Sequence, residues 1–297
     1  MDINTTNLEG IRTGFTTIFN QQFQAVETTW NKVGMKVTST TRDMDYRWMR
    51  KLPGMKEWLG QRQVENLAQE SYKVVNRSFE NTIGVDRDDI EDDQLGVYSP
   101  LIADLGQTVA EHPDELLYGL LAAAFDTKCF DGQYFIDTDH PVLDAAGEET
   151  SVSNFQGGSG TPWFLLDMTK AIKPLIYQER RMPQFVAADD PKDTRVFMNK
   201  EFMYGVDYRA AAGFGLWNLA YASKQTLNAA NYQAAREAMM SFKGDHGRKL
   251  RIRPTLLVVP PSLEGEALEV LKKERDAAGA TNVYFNTAEL HVEQLLA

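Results

Sequence analysis

Residues 99–126 carry the clearest helical pattern in the chain, and they constrain the fold most. Ser99-Pro100 supplies an N-cap and a first-turn proline. Leu101, Ile102, Leu105 and Val109 then form one apolar stripe. Pro113 interrupts, and Asp114, Glu115 and the run LLYGLLAAAF follow. A proline inside a helix removes a backbone donor and clashes with the preceding turn. The segment therefore reads as two helices, or as one long helix kinked at Pro113. Gly119, Ala122, Ala123 and Ala124 permit close packing.

The rest of the chain is long enough to cover such a helix. At 297 residues it makes one large domain or two small ones. A compact monomer of 33.5 kDa would expose roughly 12,700 Å² and bury about 74% of its unfolded surface. With 43% apolar and 25% charged residues, wholesale disorder is excluded. No run of 18 apolar residues occurs, so no membrane partner is expected. The opening MDINTTNLEGIRTGF lacks a basic start followed by an apolar core, so no secretory signal is expected. The single cysteine, Cys129, excludes an internal disulfide and a multi-cysteine metal site. The reducing interior of a cell is the expected place of synthesis. The net charge of -11 argues against direct recognition of DNA or RNA, which draws its affinity from phosphate neutralisation. Containment of nucleic acid in a closed shell needs geometry rather than attraction and stays open.

Leu8, Ile11, Phe15, Ile18, Phe19, Phe23 and Val26 mark an amphipathic helix within residues 1–37. Its stripe packs on its own core in a monomer or on a neighbour in an assembly. Residues 38–67 show no clean period. They scatter Trp48, Met49, Leu52, Met55, Trp58 and Leu59 among Arg42, Arg47, Arg50, Lys51, Lys56 and Arg62, with a turn at Pro53-Gly54. Such a segment is a solvated loop or an arm that docks on a partner, since Trp and Arg are enriched at interface hot spots. Residues 72–85 alternate as extended strand. Residues 86–93 place six acids in eight positions, without the central glycine of a calcium loop. They read as a solvated helix start or turn, where acids favour the N-terminus.

Residues 127–141, TKCFDGQYFIDTDHP, are the most enzyme-like. Cys129, Asp131, Asp137, Asp139 and His140 lie close together. A Cys–His pair can be nucleophilic, and Asp-x-Asp-His can hold a metal. No second histidine cluster supports either: His112, His246 and His291 stand alone. A turn, a short strand at Tyr134-Phe135-Ile136 and a second turn is the expected structure. Residues 142–162 are rich in Gly, Ser and Thr and read as a surface loop. From residue 163 a second α+β unit is expected. Its strands are Trp163–Leu166, Arg195–Phe197, Leu256–Pro260 and Ala288–Val292; its helices are Tyr232–Phe242 and Ser262–Lys273. The stretch GVDYRAAAGFGLWNLAYAS between them should be buried. No glycine pattern matches a dinucleotide or phosphate loop.

No constellation completes a catalytic site, which points to a binding or structural role. At this point the motifs support a family reading. LPGMKEWLGQR at 52–62, NRSFENTIGVDRDDIEDDQLGVYSP at 76–100, HPDELL at 112–117 and CFDGQYFIDTDHPV at 129–142 occur in order. WFLLDMTKAIKPLIYQERRMPQF at 163–185, FMNKEFMYGVDYRAAAGFGLW at 197–217 and RPTLLVVPPSLEGEA at 253–267 follow. Together they resemble the major head subunits of Mu and Mu-like prophages. Residues 1–30 and the tail after about 268 match less distinctively.

The resemblance implies a major capsid protein with the α+β Hong Kong 97-type fold of tailed-phage shells. It implies an N-terminal arm at 1–37, an extended loop and return strand at 38–85, and a peripheral domain with a long spine helix at 86–142. An axial domain would follow, mainly over 143–255, with 256–297 returning to the peripheral and axial core. It implies no catalytic, cofactor-binding or metal residue and no cofactor. Partners would be other copies of the chain in hexamers and pentamers, a separate scaffolding protein, a portal and a possible decoration protein. The shell would enclose double-stranded DNA without reading its sequence, in a virion made in the bacterial host cytoplasm. Residues 42–62 net +3 and residues 86–93 net -5. Trp48, Arg50, Lys51, Trp58 and Arg62 are therefore expected to meet Asp88, Asp89, Asp92 and Asp93 of an adjacent subunit. The rival reading is a metal-dependent hydrolase using Asp137, Asp139 and His140.

Overall fold

The structure is a computed structural model. It describes residues 1–50, 72–275 and 279–297, without the side chains of Trp48, Arg50 and Arg195. The chain opens with helix α1 (Thr5–Ala25), a short α2 (Trp30–Val33), and strands β1 (Gly34–Thr38) and β2 (Asp43–Asp45). Strands β3 (Lys73–Val75) and β4 (Arg77–Asp86) lead to α3 (Arg87–Glu91) and the long α4 (Ser99–Ala122). Next come β5 (His140–Leu143), β6 (Glu149–Val152), β7 (Phe155–Gly158), β8 (Trp163–Leu166) and β9 (Leu175–Ala188). Helix α5 (Thr194–Asn199) joins β9 to β10 (Glu201–Phe214), and β11 (Ala220–Lys224) precedes α6 (Ala229–Ser241). A two-residue pair, β12 (Lys243–Gly244) and β13 (Arg248–Lys249), β14 (Leu256–Val259), α7 (Glu264–Leu271) and β15 (Glu289–Val292) complete it.

Two sheets organise these elements. The first has the order β1-β9-β10-β4, with β1 parallel to β9 and the other pairs antiparallel. Phe202, Tyr204, Val206, Tyr208 and Ala210 alternate along β10, and all are buried. Two-residue periodicity puts them on one face. That face meets the helices: Phe15 of α1 packs edge-on against Tyr204 at 5.0 Å, and His112 of α4 contacts Tyr208. The second sheet has the order β15-β14-β8-β11-β7. Its central strands β8 and β14 are buried at every position, as expected for strands covered on both faces.

Pro113 lies inside one continuous helix, α4, rather than between two. Leu105, Val109, Leu117 and Leu121 are buried along it. The α1 stripe packs on the chain's own core, with Leu8, Ile11, Phe15 and Phe19 buried. Gly106 sets the approach: a Cβ there would lie 2.8 Å from the Phe19 carbonyl oxygen of α1.

Several local expectations are corrected. Ser99 is not the N-cap of α4. A single 3-10 turn over Leu95–Val97 runs straight into the helix, so Tyr98 occupies the cap and Ser99 is already helical. Arg195–Phe197 is not a strand but part of α5. The apolar run is too short to show a period, and the chain coils to connect two paired strands. Tyr134–Ile136 forms only an isolated bridge from Tyr134 to Lys128. The Gly- and Ser-rich 142–162 is not a plain loop. Asp144 accepts hydrogen bonds from the Ala146 and Glu148 amides and closes a β5–β6 hairpin. β7 pairs with the β11 edge, where a Cβ on Gly158 would lie 2.3 Å from the Lys224 carbonyl.

Two neighbouring leucines test the α4 register. Leu105 is buried and Leu101 is half-exposed at 50%. Leu105→Asp should destabilise by several kcal/mol, on the order of 3 to 5, because it buries an unpaired charge. Leu101→Asp should stay within about 0.5 kcal/mol of the parent. Urea unfolding of the two variants checks the register.

Candidate functional site

The enzyme-like cluster is built by a tight turn. Gly132 takes φ +90°, and the Cys129 amide donates to the Gln133 carbonyl at 2.8 Å. This folds the Asp131 carboxylate inward. Oδ1 of Asp131 accepts from the Cys129 thiol at 3.1 Å and from the Gln133 amide at 3.0 Å. Oδ2 lies 2.7 Å from Nδ1 of His140, the first residue of β5. The His140 ring is fully buried and stacks on Trp217 at 4.0 Å and 7°. Its Nε2 lies 3.2 Å from Oδ1 of Asn154. Asn154 is itself oriented: its Nδ2 donates to the carbonyls of Phe135, Trp217 and Ala220, and its Oδ1 accepts from the Asp137 amide.

The trio of the rival hydrolase reading, Asp137, Asp139 and His140, is not assembled as a ligand group among the described residues. Asp137 accepts from the amides of Tyr134 and Thr138, and Asp139 is exposed beside it. Among the described residues the one group with metal-ligand character is Cys129, Asp131 and His140, whose donor atoms lie within 4.8 Å of one another. In that group the carboxylate already accepts from the thiol and faces the imidazole, so the three close on each other. Burial, reinforced by the Asp131 carboxylate, pushes the Cys129 thiol far above its ordinary value. The imidazole faces Asp131 and not the sulfur, so no base activates it. The sequence held these residues but not their grouping. The signal was Asp131-Gly132, a turn that returns Asp131 toward Cys129.

The acidic stretch forms α3 and its ends. Asp86 caps the helix through the Asp88 amide at 2.8 Å. Asp88 pairs with Lys200 at 2.8 Å, and Asp89 accepts from the Tyr98 hydroxyl at 2.5 Å. Asp92 and Asp93 are exposed past the helix end; their amides donate to the Asp88 and Ile90 carbonyls, while neither carboxylate has a hydrogen bond or ion pair among the described residues. Exposed Val97 and Leu101 follow on the next turn and on α4. Of the basic segment, Arg47 pairs with Asp45 at 2.6 Å. Lys51, Trp58 and Arg62 and the side chains of Trp48 and Arg50 lie outside the described residues.

Two measurements test the closed cluster. In the native protein Cys129 should react with a maleimide at least tenfold more slowly than in urea, followed by mass spectrometry. For Asp131, burial raises the carboxyl, but the hydrogen bond and charge of His140 outweigh it and hold it below the ordinary carboxylate value. A carboxyl depressed on folding stabilises above its unfolded value, near 4, and loses that contribution as pH falls through the folded value. Asp131→Asn should therefore be less stable than the parent at pH 7, and the gap should narrow below about pH 4. Thermal melts across pH check this.

The family model for the Mu-like prophage major head subunit gpT matches residues 8–296. The major capsid protein of Escherichia phage Mu is 40% identical over 289 residues, covering 95% of each chain. The Mu-like prophage FluMu major head subunit of Haemophilus influenzae is 42% identical over 269 residues, covering 88% of this chain and 87% of that one. Among solved structures, a chain of the bacteriophage JBD30 procapsid superposes with a TM-score of 0.87 at 41% identity, over 99% of this chain and 100% of that one. A chain of the JBD30 capsid gives 0.78 at 32% identity, over 92% of each. With that fold and that family match over almost its whole length, this chain belongs to the Mu-like prophage major head subunit family, the major capsid proteins of Mu-like phage heads.

Proposed function

We propose that the chain self-assembles, through hexamers and pentamers, into an icosahedral shell that encloses double-stranded DNA. The observation that carries this is the match of fold and sequence to a procapsid chain over 99% of the length. A structural rather than enzymatic role fits the Cys129–Asp131–His140 cluster, whose groups satisfy one another. The net charge of -11 fits enclosure of DNA rather than attachment to it. In this reading 1–37 is the arm, 38–85 the extended loop and return strand, and 86–142 the peripheral domain with α4 as its spine. Residues 143–255 are mainly axial, and 256–297 return to the core. A separate scaffolding protein and a portal complete the head. One JBD30 capsid structure carries minor capsid protein trimers, and a decoration protein is an equivalent partner here. The chain is made in the bacterial host cytoplasm and ends in the virion.

Neighbours are held by the basic segment 42–62, net +3, lying over the acidic 86–93, net -5, of an adjacent subunit. Trp48 and Trp58 are the apolar anchors, and Arg50, Lys51 and Arg62 set register. Asp88 and Asp89 have partners in their own chain, so Asp92 and Asp93 lead among the acids. Each exposed ion pair contributes only about 0–1 kcal/mol, and repetition over identical contacts makes the set matter.

Sedimentation and electron microscopy of the purified chain should show capsomers or shells; a small oligomer alone would overturn the shell reading. Arg50→Glu with Lys51→Glu should block assembly at low salt, and Asp92→Lys with Asp93→Lys should partly restore it. Assembly should also weaken at 1 M salt, where screening shortens to about 3 Å. Normal assembly of the doubly reversed loop variant would remove the charge pairing and leave the shell.

A further inference from the structure

Strand β9 contains one amide side chain in a fully buried run, Leu175-Ile176-Tyr177-Gln178. A buried amide costs free energy unless its donors and acceptor are used. Gln178 uses all of them, and each partner belongs to the two stems that flank residues 47–71. Its Oε1 accepts from the Tyr46 hydroxyl at 2.8 Å. Its Nε2 donates to the Val74 carbonyl at 3.1 Å and to Oδ1 of Asn76 at 2.8 Å.

The network continues across the stems. Nδ2 of Asn76 donates to Oγ of Ser39 at 3.0 Å and to the Thr41 carbonyl at 2.9 Å. The Ser39 hydroxyl donates to the Thr41 carbonyl at 3.1 Å, and the Ser39 amide to the Glu179 carbonyl at 2.8 Å. The Tyr46 amide donates to the Tyr72 carbonyl, and the Asn76 amide to the Arg42 carbonyl. Ser39, Tyr46, Asn76 and Gln178 are all buried. Val74 lies on β10 at Gly213, where a Cβ would sit 2.6 Å from a Val74 methyl. The Tyr72 hydroxyl accepts from the Phe214 amide at 2.8 Å.

A polar network in which every member is satisfied admits few alternative geometries, because any shift orphans a buried group. An apolar contact would hold the stems as well but would tolerate sliding. We propose that Gln178 is a positioning residue for assembly. Its amide fixes how the stems that end at Tyr46 and begin at Tyr72 sit on β9, and so selects the surface of a second copy that residues 42–62 meet. The inference rests on the reading that residues 42–62 contact an adjacent subunit.

Gln178→Met keeps length and volume and removes the amide. The purified variant should remain folded, with a circular dichroism spectrum like the parent and a melting temperature well above that of assembly. Its yield of regular shells should fall at least tenfold, and aberrant particles should take their place. Trypsin should cut between residues 42 and 76 at least tenfold faster, with no change in cutting elsewhere. A residue that only stabilised the core would alter melting without changing particle shape or the site of cleavage. Tyr46→Phe and Ser39→Ala each remove part of the network and should give intermediate defects. If Gln178→Met does not fold, these two decide the matter. Normal shells from Gln178→Met, or from both milder variants, would overturn the proposal. Trp58→Ala, made with the network intact, separates the two readings. If it assembles normally, the neighbour contact fails; if it blocks assembly while Gln178→Met does not, the positioning role alone fails.

Discussion

The antiparallel pairing of β9 with β10 runs from Met203 opposite Ala188 to Phe214 opposite Leu175, and every other layer is attached to it. β4 and β1 extend the sheet on either side, and α1 and α4 cover one face. The same two strands continue at their Leu175 and Phe214 ends into the second sheet, through β8 before β9 and β11 after β10. The ladder is not uniform. The register shifts around Arg209, and Pro183 lies in the displaced stretch of β9. Proline cannot donate to a ladder and is tolerated at such irregularities, which bend and twist a strand. The long hairpin is therefore a curved support.

Sequence made the periodic elements visible. α1, α4, β8, β14 and α6 follow apolar patterns of 3.6 or continuous burial, and they fold where those patterns lie. β9 carries no pattern of its own in the sequence because its first four residues are wholly buried while Glu179 to Met182 are exposed or nearly so. Only the last six residues, Pro183 to Ala188, alternate with a period of two, so no single pattern runs the length of the strand. α5 departs from the strand expected there for the opposite reason: Phe197 and Met198 are apolar yet 80% and 71% exposed, so hydrophobicity there does not report on a core.

The site was legible in its residues and not in its pairings. Cys129, Asp131 and His140 stood out from composition alone, but two tight turns decide that His140 faces Asp131 rather than Asp137 or Asp139. Asn154 has no sequence signal among its neighbouring serines and glycines, because its role depends on three carbonyls from distant segments. Gln178 was hidden likewise inside an apolar motif. A buried amide has no periodicity of its own, so pattern reading passes over it.

These buried polar groups share a location: each lies where two layers meet. Gln178 joins the stems at 39–46 and 72–76 to β9. His140 and Asn154 join the 129–154 segment to Trp217, ahead of the second sheet. Tyr118 of α4 donates to the Thr29 carbonyl, so its oxygen accepts from Nε2–H of His291 on β15, which also reaches Glu293. Asp114 of α4 holds the amides of Thr29 and Trp30 at the start of α2. Apolar contacts at these junctions would supply comparable stability with less directional restraint. A shell subunit gains from that restraint. Each angle within the subunit is repeated at every copy, so a small error between layers accumulates around a closed surface. A core that only excluded water would give a stable protein, whereas joints fixed by hydrogen bonds give one whose copies agree in shape.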